Sequence, residues 1–202
     1  QVTLPDDRYA QPESRQAFAR AVEARLRELP GARVVSFANV LPARGSNSSR
    51  SLQIEGEPPS DPSNPPSVDY RTVSPEYFDT LRLPVLAGRS LNAADDQDSA
   101  PVAVISKSMA ERHWPGRDPV GRRFRLGAED TPWITVVGVC GDVIHHWFSR
   151  RNHPTAYRPY SQSPGADLAF AVRLDAGDPE NLFAAARQEI ATVDPYLPAY
   201  DV

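Results

Sequence analysis

The two ends of the chain carry similar successions of predicted elements, and this echo constrains the fold more than any other feature. Residues 12–29 predict an amphipathic helix, because apolar side chains recur at the spacing of one helix face: Phe18, Val22, Leu26 and Leu29. Pro30-Gly31 ends this helix, and the β-branched segment 33–40 indicates a strand. Near the other end, segment 168–174 alternates as a strand does, and residues 179–193 predict a second amphipathic helix. Two such units can pair into one split β-α-β layer.

The middle of the chain differs from the ends because it is rich in short predicted strands. These strands are expected at 52–55, 68–73, 85–89, 101–105, 122–126, 133–139 and 157–160. We therefore predict an α+β fold. Residues 1–48 and 165–202 would form the split layer, and residues 49–164 would form an inserted, strand-rich subdomain with its own core.

The composition limits the classes of partner and of chemistry. A net charge of −4 over 202 residues indicates neither nucleic acid nor an anionic membrane surface as a partner. Cys140 is the single cysteine, so no disulfide can form within the chain. The longest apolar run, 134–140, is far shorter than the ~20 residues of a membrane-spanning helix. Met109 is the only methionine, and we expect the chain to be a piece of a longer protein.

Several pieces of sequence, in a fixed order, resemble a known family. They read Tyr77-Phe78-Asp79-Thr80-Leu81, Leu86-Ala87-Gly88-Arg89, Pro101-Val102-Ala103-Val104-Ile105-Ser106 and Arg112-His113-Trp114-Pro115-Gly116-Arg117-Asp118-Pro119. Their order and spacing resemble the extracytoplasmic domain of MacB/FtsX-type ABC transporter permeases. Further similar pieces lie at 29–31, 136–143, 154–159, 177–179 and 193–195, so the resemblance covers nearly the whole chain.

The resemblance implies a body of two parts, a porter-like β-α-β part built from both chain ends and an inserted sabre-like part. It implies a place on the periplasmic side of the cell inner membrane, with transmembrane helices before Gln1 and after Val202. The implied partners are an ATP-binding cassette subunit or domain, a second permease copy and a periplasmic adaptor protein. The implied role is mechanical coupling of ATP hydrolysis to export or envelope events, with no catalytic, cofactor-binding or metal-binding residues.

The histidines and the cysteine are the residues that a zinc site or a nucleophilic pair would need. His145 and His146 are adjacent, and neighbours on a strand point to opposite faces, so the two do not suit one metal ion. His113 and His153 are separate in the sequence. Cys140 lies at the end of an apolar predicted strand. The resemblance implies a small aliphatic residue at this position, so we expect the thiol to pack rather than react.

Two charged clusters are expected to be solvated surface. Asp95-Asp96-Gln97-Asp98 lacks the glycine and the distant glutamate of an EF-hand calcium loop. Arg122, Arg123 and Arg125 are typical of the wet face of a strand. Together with Arg150-Arg151 they are the alternative candidates for a contact with an anion or a lipid headgroup.

An aromatic pair, Trp147-Phe148, follows the turn that begins at Gly141. Aromatic side chains are enriched at protein interfaces, which makes this pair a candidate partner contact. Packing beneath the loop is the equally weighted alternative.

The alternative function is a free-standing extracytoplasmic binding module for a peptide, a lipid or a lipoprotein, which would need a ligand pocket. An enzyme that uses Cys140 or the histidines would need a clustering that the sequence does not show. We expect the isolated chain to be a monomer or a weak dimer.

Overall fold

The computed structural model describes residues 1–42, 48–58, 65–144, 152–175 and 179–200, without the side chains of residues 179–181. The strands in these ranges are β1 (Val2–Thr3), β2 (Ala32–Ala38), β3 (Ser49–Ile54), β4 (Ser67–Val73), β5 (Val85–Gly88), β6 (Val102–Ser106), β7 (Arg123–Leu126), β8 (Ile134–Cys140), β9 (Thr155–Pro159) and β10 (Asp167–Leu174). The helices are α1 (Asp6–Tyr9), α2 (Pro12–Arg27), α3 (Tyr77–Thr80), α4 (Lys107–His113) and α5 (Pro179–Val193), and Tyr160–Gln162 form a 3-10 turn. None of the helices in the described ranges is long and apolar enough to cross a membrane.

The two chain ends build an antiparallel layer, in the order β1-β10-β2, with α2 and α5 packed together; we call these elements the terminal layer. Along the β10–β2 ladder, Val172 lies opposite Val35 and Phe170 opposite Phe37. These side chains share one face of the sheet, since neighbours along a strand alternate between faces. They pack in one core with the predicted helix stripe, Phe18, Val22, Leu26 and Leu29, and with Ile190 of α5.

Six strands of the middle segment form a closed ring, which we call the barrel. β3 pairs with β4, β4 with β9, β9 with β6, β6 with β8, β8 with β7, and β7 returns to β3. A ring of strands satisfies the hydrogen-bonding groups on both sides of each member and removes the open edges of a flat sheet. β5 lies outside the ring as an added strand on β8.

The side chains inside the barrel come from alternate positions of its strands, as a pleated sheet requires. They include Leu52 and Ile54 of β3, Phe124 of β7 and Ile105 of β6, with Trp114 from the end of α4 packed against them. A separate cluster combines Tyr77 and Phe78 of α3 with Val104, Cys140 and Tyr157 of the barrel strands. That second cluster lies beside α3, between the barrel and the terminal layer.

The predicted α+β class is confirmed, and the predicted helices at 12–29 and 179–193 appear as α2 and α5. The short helix α1 was not expected from the sequence. Phe183, which belongs to the apolar pattern of α5, is half-exposed rather than part of the core. The division into residues 1–48 with 165–202 and residues 49–164 stays a prediction, because no independent observation tests these boundaries.

Candidate coupling and interaction site

Within the part of the chain that the structure describes, one strand of the barrel pairs directly with a strand of the terminal layer. β4 is a member of the barrel, and its last residue, Val73, lies opposite Ala38 of β2. The next residue, Ser74, extends the connection: its backbone N–H donates to the Phe37 carbonyl at 2.9 Å, and its hydroxyl accepts from the Phe37 N–H at 3.2 Å. Together with the pairing of Val73 and Ala38, these hydrogen bonds tie β4 to β2 over a short stretch.

Helix α3 follows directly and is held against the terminal layer from the other side. The Arg173 guanidinium on β10 donates to the Thr80 carbonyl at the end of α3, at 3.2 Å from Nε and 2.8 Å from Nη2. Tyr77 and Phe78 of the same helix are buried against Tyr157 of β9, with ring centroids 5.7 and 5.5 Å from the Tyr157 ring. One short helix therefore contacts both regions, and this accounts for the Tyr77-Phe78 piece of the sequence.

A cleft of about 500 Å³ separates α2 from the β4–α3 connection. Within it, the Arg27 guanidinium lies 2.9 Å from the Glu23 carboxylate and 3.2 Å from the Glu76 carboxylate. Burial raises the pKa of Glu23 to about 7, opposed by the charge of Arg27 and reinforced by Glu76. The raised pKa of Glu23 thus makes its contact with Arg27 sensitive to pH near neutrality.

The Leu86-Ala87-Gly88-Arg89 piece has a steric explanation. Gly88 of β5 and Gly138 of β8 lie opposite each other, and Gly88 has a φ of 70°. A Cβ on Gly88 would lie 2.3 Å from the Val137 carbonyl oxygen, and one on Gly138 would lie 2.2 Å from the Arg89 carbonyl oxygen. Both glycines are needed because the two backbones approach too closely for any side chain.

A second cavity, an apolar groove of about 500 Å³, runs along β10 where the terminal layer is open. Leu26, Leu182, Phe183 and Ile190 line it from the helices, and Leu41 and Thr80 are also among its lining residues. No pattern in the sequence indicates this groove directly, because its lining comes from distant segments. The nearest signal is Phe183, which belongs to the apolar pattern of α5 and yet is 39% exposed.

Comparison with known proteins identifies the family of this arrangement. The family model for the MacB-like periplasmic core domain matches residues 2–192. The chain belongs to this family. It is a MacB-like periplasmic or extracellular domain of the kind found in ABC transporter permeases, as the sequence resemblance predicted.

Solved structures with low sequence identity share the fold. The periplasmic region of MacB from Actinobacillus actinomycetemcomitans superimposes with a TM-score of 0.62 at 17% identity, over 87% of this chain and 73% of that one. The extracellular domain of the noncanonic ABC-type transporter YknZ from Gram-positive bacteria superimposes with a TM-score of 0.59 at 18% sequence identity, over 95% of this chain and 89% of that one. A domain of a putative permease protein from Porphyromonas gingivalis superimposes with a TM-score of 0.55 at 20% sequence identity, over 86% of this chain and 68% of that one. No relative was found among curated protein sequences.

In this MacB-like domain, Cys140 is buried in the cluster beside α3. Burial, together with the nearby charge of Asp142, raises the pKa of the Cys140 thiol to about 12. A thiol that stays protonated at neutral pH is a poor nucleophile, which agrees with the predicted packing role.

The histidines of the described part of the chain, His113 and His153, belong to no cluster that suits a metal ion. No group of three or more His, Cys, Asp or Glu side chains in those ranges could hold a metal ion. His113 is half-buried beside Trp114, and burial lowers its pKa. His145 and His146 lie outside the described residues.

The acidic turn at residues 95–98 is organised by an arginine. The Asp95 carboxylate is buried and accepts two hydrogen bonds from the Arg89 guanidinium, at 2.7 and 2.8 Å, and a third from the Asn92 N–H at 2.9 Å. These bonds lower the pKa of Asp95 against the opposing effect of burial. The Asp95 oxygens are therefore occupied within the protein.

The strand arginines lie on a solvated face, as predicted. Arg123 is exposed and pairs with Glu55, and the Arg125 guanidinium lies over the Trp133 ring at 4.8 Å. Arg150 and Arg151 lie outside the described residues. So do Trp147 and Phe148, and the partner contact predicted for that aromatic pair stays a prediction.

Proposed function

We propose that this domain is a non-catalytic coupler, which transmits movement of the membrane part of an ABC transporter permease to export or to events at the cell envelope. Its partners would be an ATP-binding cassette subunit or domain, a second permease copy and a periplasmic adaptor protein. The full-length protein would be anchored in the inner membrane. Residues 1–48 with 165–202 would be the porter-like part, and residues 49–164 the sabre-like part.

The position of the chain ends supports this proposal. The backbone nitrogen of Gln1 donates to the Tyr200 carbonyl at 2.9 Å, and the Tyr200 N–H donates to the Gln1 carbonyl at 3.0 Å. Transmembrane helices joined to these two ends would enter the terminal layer side by side. Any relative movement of the helices would then act on one place in the domain.

The junction beside α3 is the observation that carries the proposal. β4 belongs to the barrel and also continues into the contact with β2, while Arg173 fixes the end of α3 to β10. A movement received by the terminal layer would therefore reach the barrel as a rigid-body rotation rather than dissipate in a hinge.

The test uses the full-length permease with its ATPase in lipid nanodiscs. A spin label at Leu86, which is 55% exposed, reports the separation of the barrels of two permease copies. We expect ATP to shift this distance in the wild type. In Arg173→Ala we expect a broader distance distribution, with ATP hydrolysis retained.

Arg123→Ala is the matched control, because it removes an exposed arginine of β7 that pairs with Glu55 rather than with α3, and it should leave the distribution unchanged. An identical Leu86–Leu86 distance with and without ATP would show that the domain does not transmit movement.

A further inference from the structure

The terminal layer has an open strand edge along most of β10. β1 pairs only with Asp167 and Leu168, so among the described residues no strand lies beside Ala169–Leu174 on that side. The Leu4 N–H donates to the Ala166 carbonyl. Because main-chain groups alternate between the two sides of an antiparallel strand, the N–H and C=O of Phe170 and Val172 point to the open edge.

The apolar groove surrounds this edge. Leu26, Leu182 and Ile190 line it on the helix side, where Phe170 and Val172 also project. On the opposite face lie Thr80 and Arg173. An added strand would direct its side chains alternately into these two walls, since successive residues of a strand face opposite sides.

The charge of the groove is one-sided. Among the residues that the structure describes, its lining contains Arg173 and Arg187 and no acidic residue. Arg187 is exposed and forms no ion pair with any residue in the described part of the chain, whereas Arg173 is engaged with the Thr80 carbonyl. An occupant with a carboxylate near Arg187 would complement this charge.

We propose that β10 is a docking edge for an extended segment of another protein, one that alternates apolar side chains and carries an acidic side chain opposite Arg187. A lipid acyl chain would suit the apolar walls but would leave the N–H and C=O groups of Phe170 and Val172 without partners. A peptide backbone satisfies both requirements. This binding would not depend on the coupling role proposed above.

The test begins with a phage-displayed library of random decapeptides selected on the 202-residue chain. Selected peptides are then synthesised, and their binding is measured by fluorescence polarisation. We expect alternating apolar sequences with a glutamate or aspartate. We also expect the amide protons of Phe170 and Val172 to exchange more slowly with solvent when the peptide is bound.

Two variants connect the binding to this edge. Arg187→Glu should weaken the binding of the selected peptides about tenfold, a change of one decade in Kd. Val172→Pro removes one N–H that points to the open edge, so it should weaken peptide binding at least as much as Arg187→Glu does. The variant should still fold, because proline is tolerated on edge strands. Arg112→Glu on α4 is the control, because it makes the same charge change on an exposed arginine of the barrel region and should leave binding intact.

Several results would overturn the proposal. Phe170 and Val172 amides that are already protected in the free chain would show that the chain closes its own edge. Peptides that bind Arg187→Glu and the wild type equally would place binding elsewhere. Arg187-dependent binding to phosphatidylglycerol vesicles without peptide binding would assign the groove to lipid. A dimer that Val172→Pro dissociates, again without peptide binding, would assign it to a second copy.

Discussion

The barrel and the terminal layer solve the problem of unpaired strand edges in different ways. The barrel closes its six strands into a ring around an apolar interior, so its stability depends on that interior. The terminal layer covers its sheet with two helices but leaves β10 open, and it holds Glu23 in a cleft. The closed region is suited to move as one body, whereas the open region offers the features that a partner or a proton can act on.

The largest expected effect comes from the barrel interior. Phe124 of β7 is 0% exposed, and its ring packs against Trp114 inside the barrel. We expect Phe124→Ala to lower the free energy of unfolding by about 3–5 kcal/mol, because the lost contacts and the cavity that remains add together. Equilibrium unfolding in urea measures this change.

The matched control lies in the terminal layer. Phe183 of α5 is 39% exposed, so Phe183→Ala should cost less than about 1 kcal/mol. Equal losses from the two substitutions would mean that the barrel interior is no more important to stability than the wall of the open groove.

A smaller effect is expected where β5 joins the barrel. Gly88→Ala would place a methyl group 2.3 Å from the Val137 carbonyl oxygen, at a φ of 70° that alanine rarely adopts. We expect a loss of about 3 kcal/mol, since the backbones must separate. Gly165→Ala, which meets no atom within 4 Å, is the control and should be nearly neutral. A harmless Gly88→Ala would mean that β5 can leave β8 without disturbing the barrel.

The sequence predicted local features well and long-range ones poorly. The stripe of α2 at Phe18, Val22 and Leu26 follows from helix periodicity alone, and all three side chains are buried. Closure of the barrel depends on pairings such as Asp69 with Thr155, which no local pattern encodes. The position of Glu23 is likewise not encoded locally, because its neighbour Glu76 is distant in the sequence and approaches it only in the folded chain.

The cleft predicts a pH dependence that belongs to the terminal layer rather than to the barrel. The pKa of Glu23 is raised in the folded state to about 7, so the stability that its neutral form contributes is fully present below about pH 4.5. That contribution is lost as the pH rises through 7. Burial is the main cause of the raised pKa; Glu76 raises it further, and the charges of Arg27 and Arg20 of α2 oppose the shift.

Glu23→Gln replaces the carboxyl group with an uncharged amide of nearly the same shape, so the side chain no longer titrates. Between pH 4.5 and 8, the wild type should lose on the order of 2 kcal/mol of unfolding free energy relative to this variant, measured as urea midpoints across the range. Glu189→Gln on α5, which removes a partly exposed carboxylate paired with Arg25 outside the cleft, is the control and should leave the slope unchanged. Parallel pH profiles for the wild type and Glu23→Gln would show that Glu23 titrates near its ordinary value.

The smallest effect should come from the outer face of the barrel. Arg123 of β7 pairs with Glu55 beyond the end of β3, and both side chains are well exposed. Water screens such a pair, so Arg123→Gln should change the free energy of unfolding by about 0.5 kcal/mol or less. The difference should also vanish at about 1 M salt, where the Debye length is ~3 Å. Arg27→Gln provides the contrast, because it leaves the buried Glu23 beside Glu76 without their shared cation. If both substitutions cost the same and respond equally to salt, the cleft is as solvated as the barrel surface, and the difference between the two regions lies in strand closure alone.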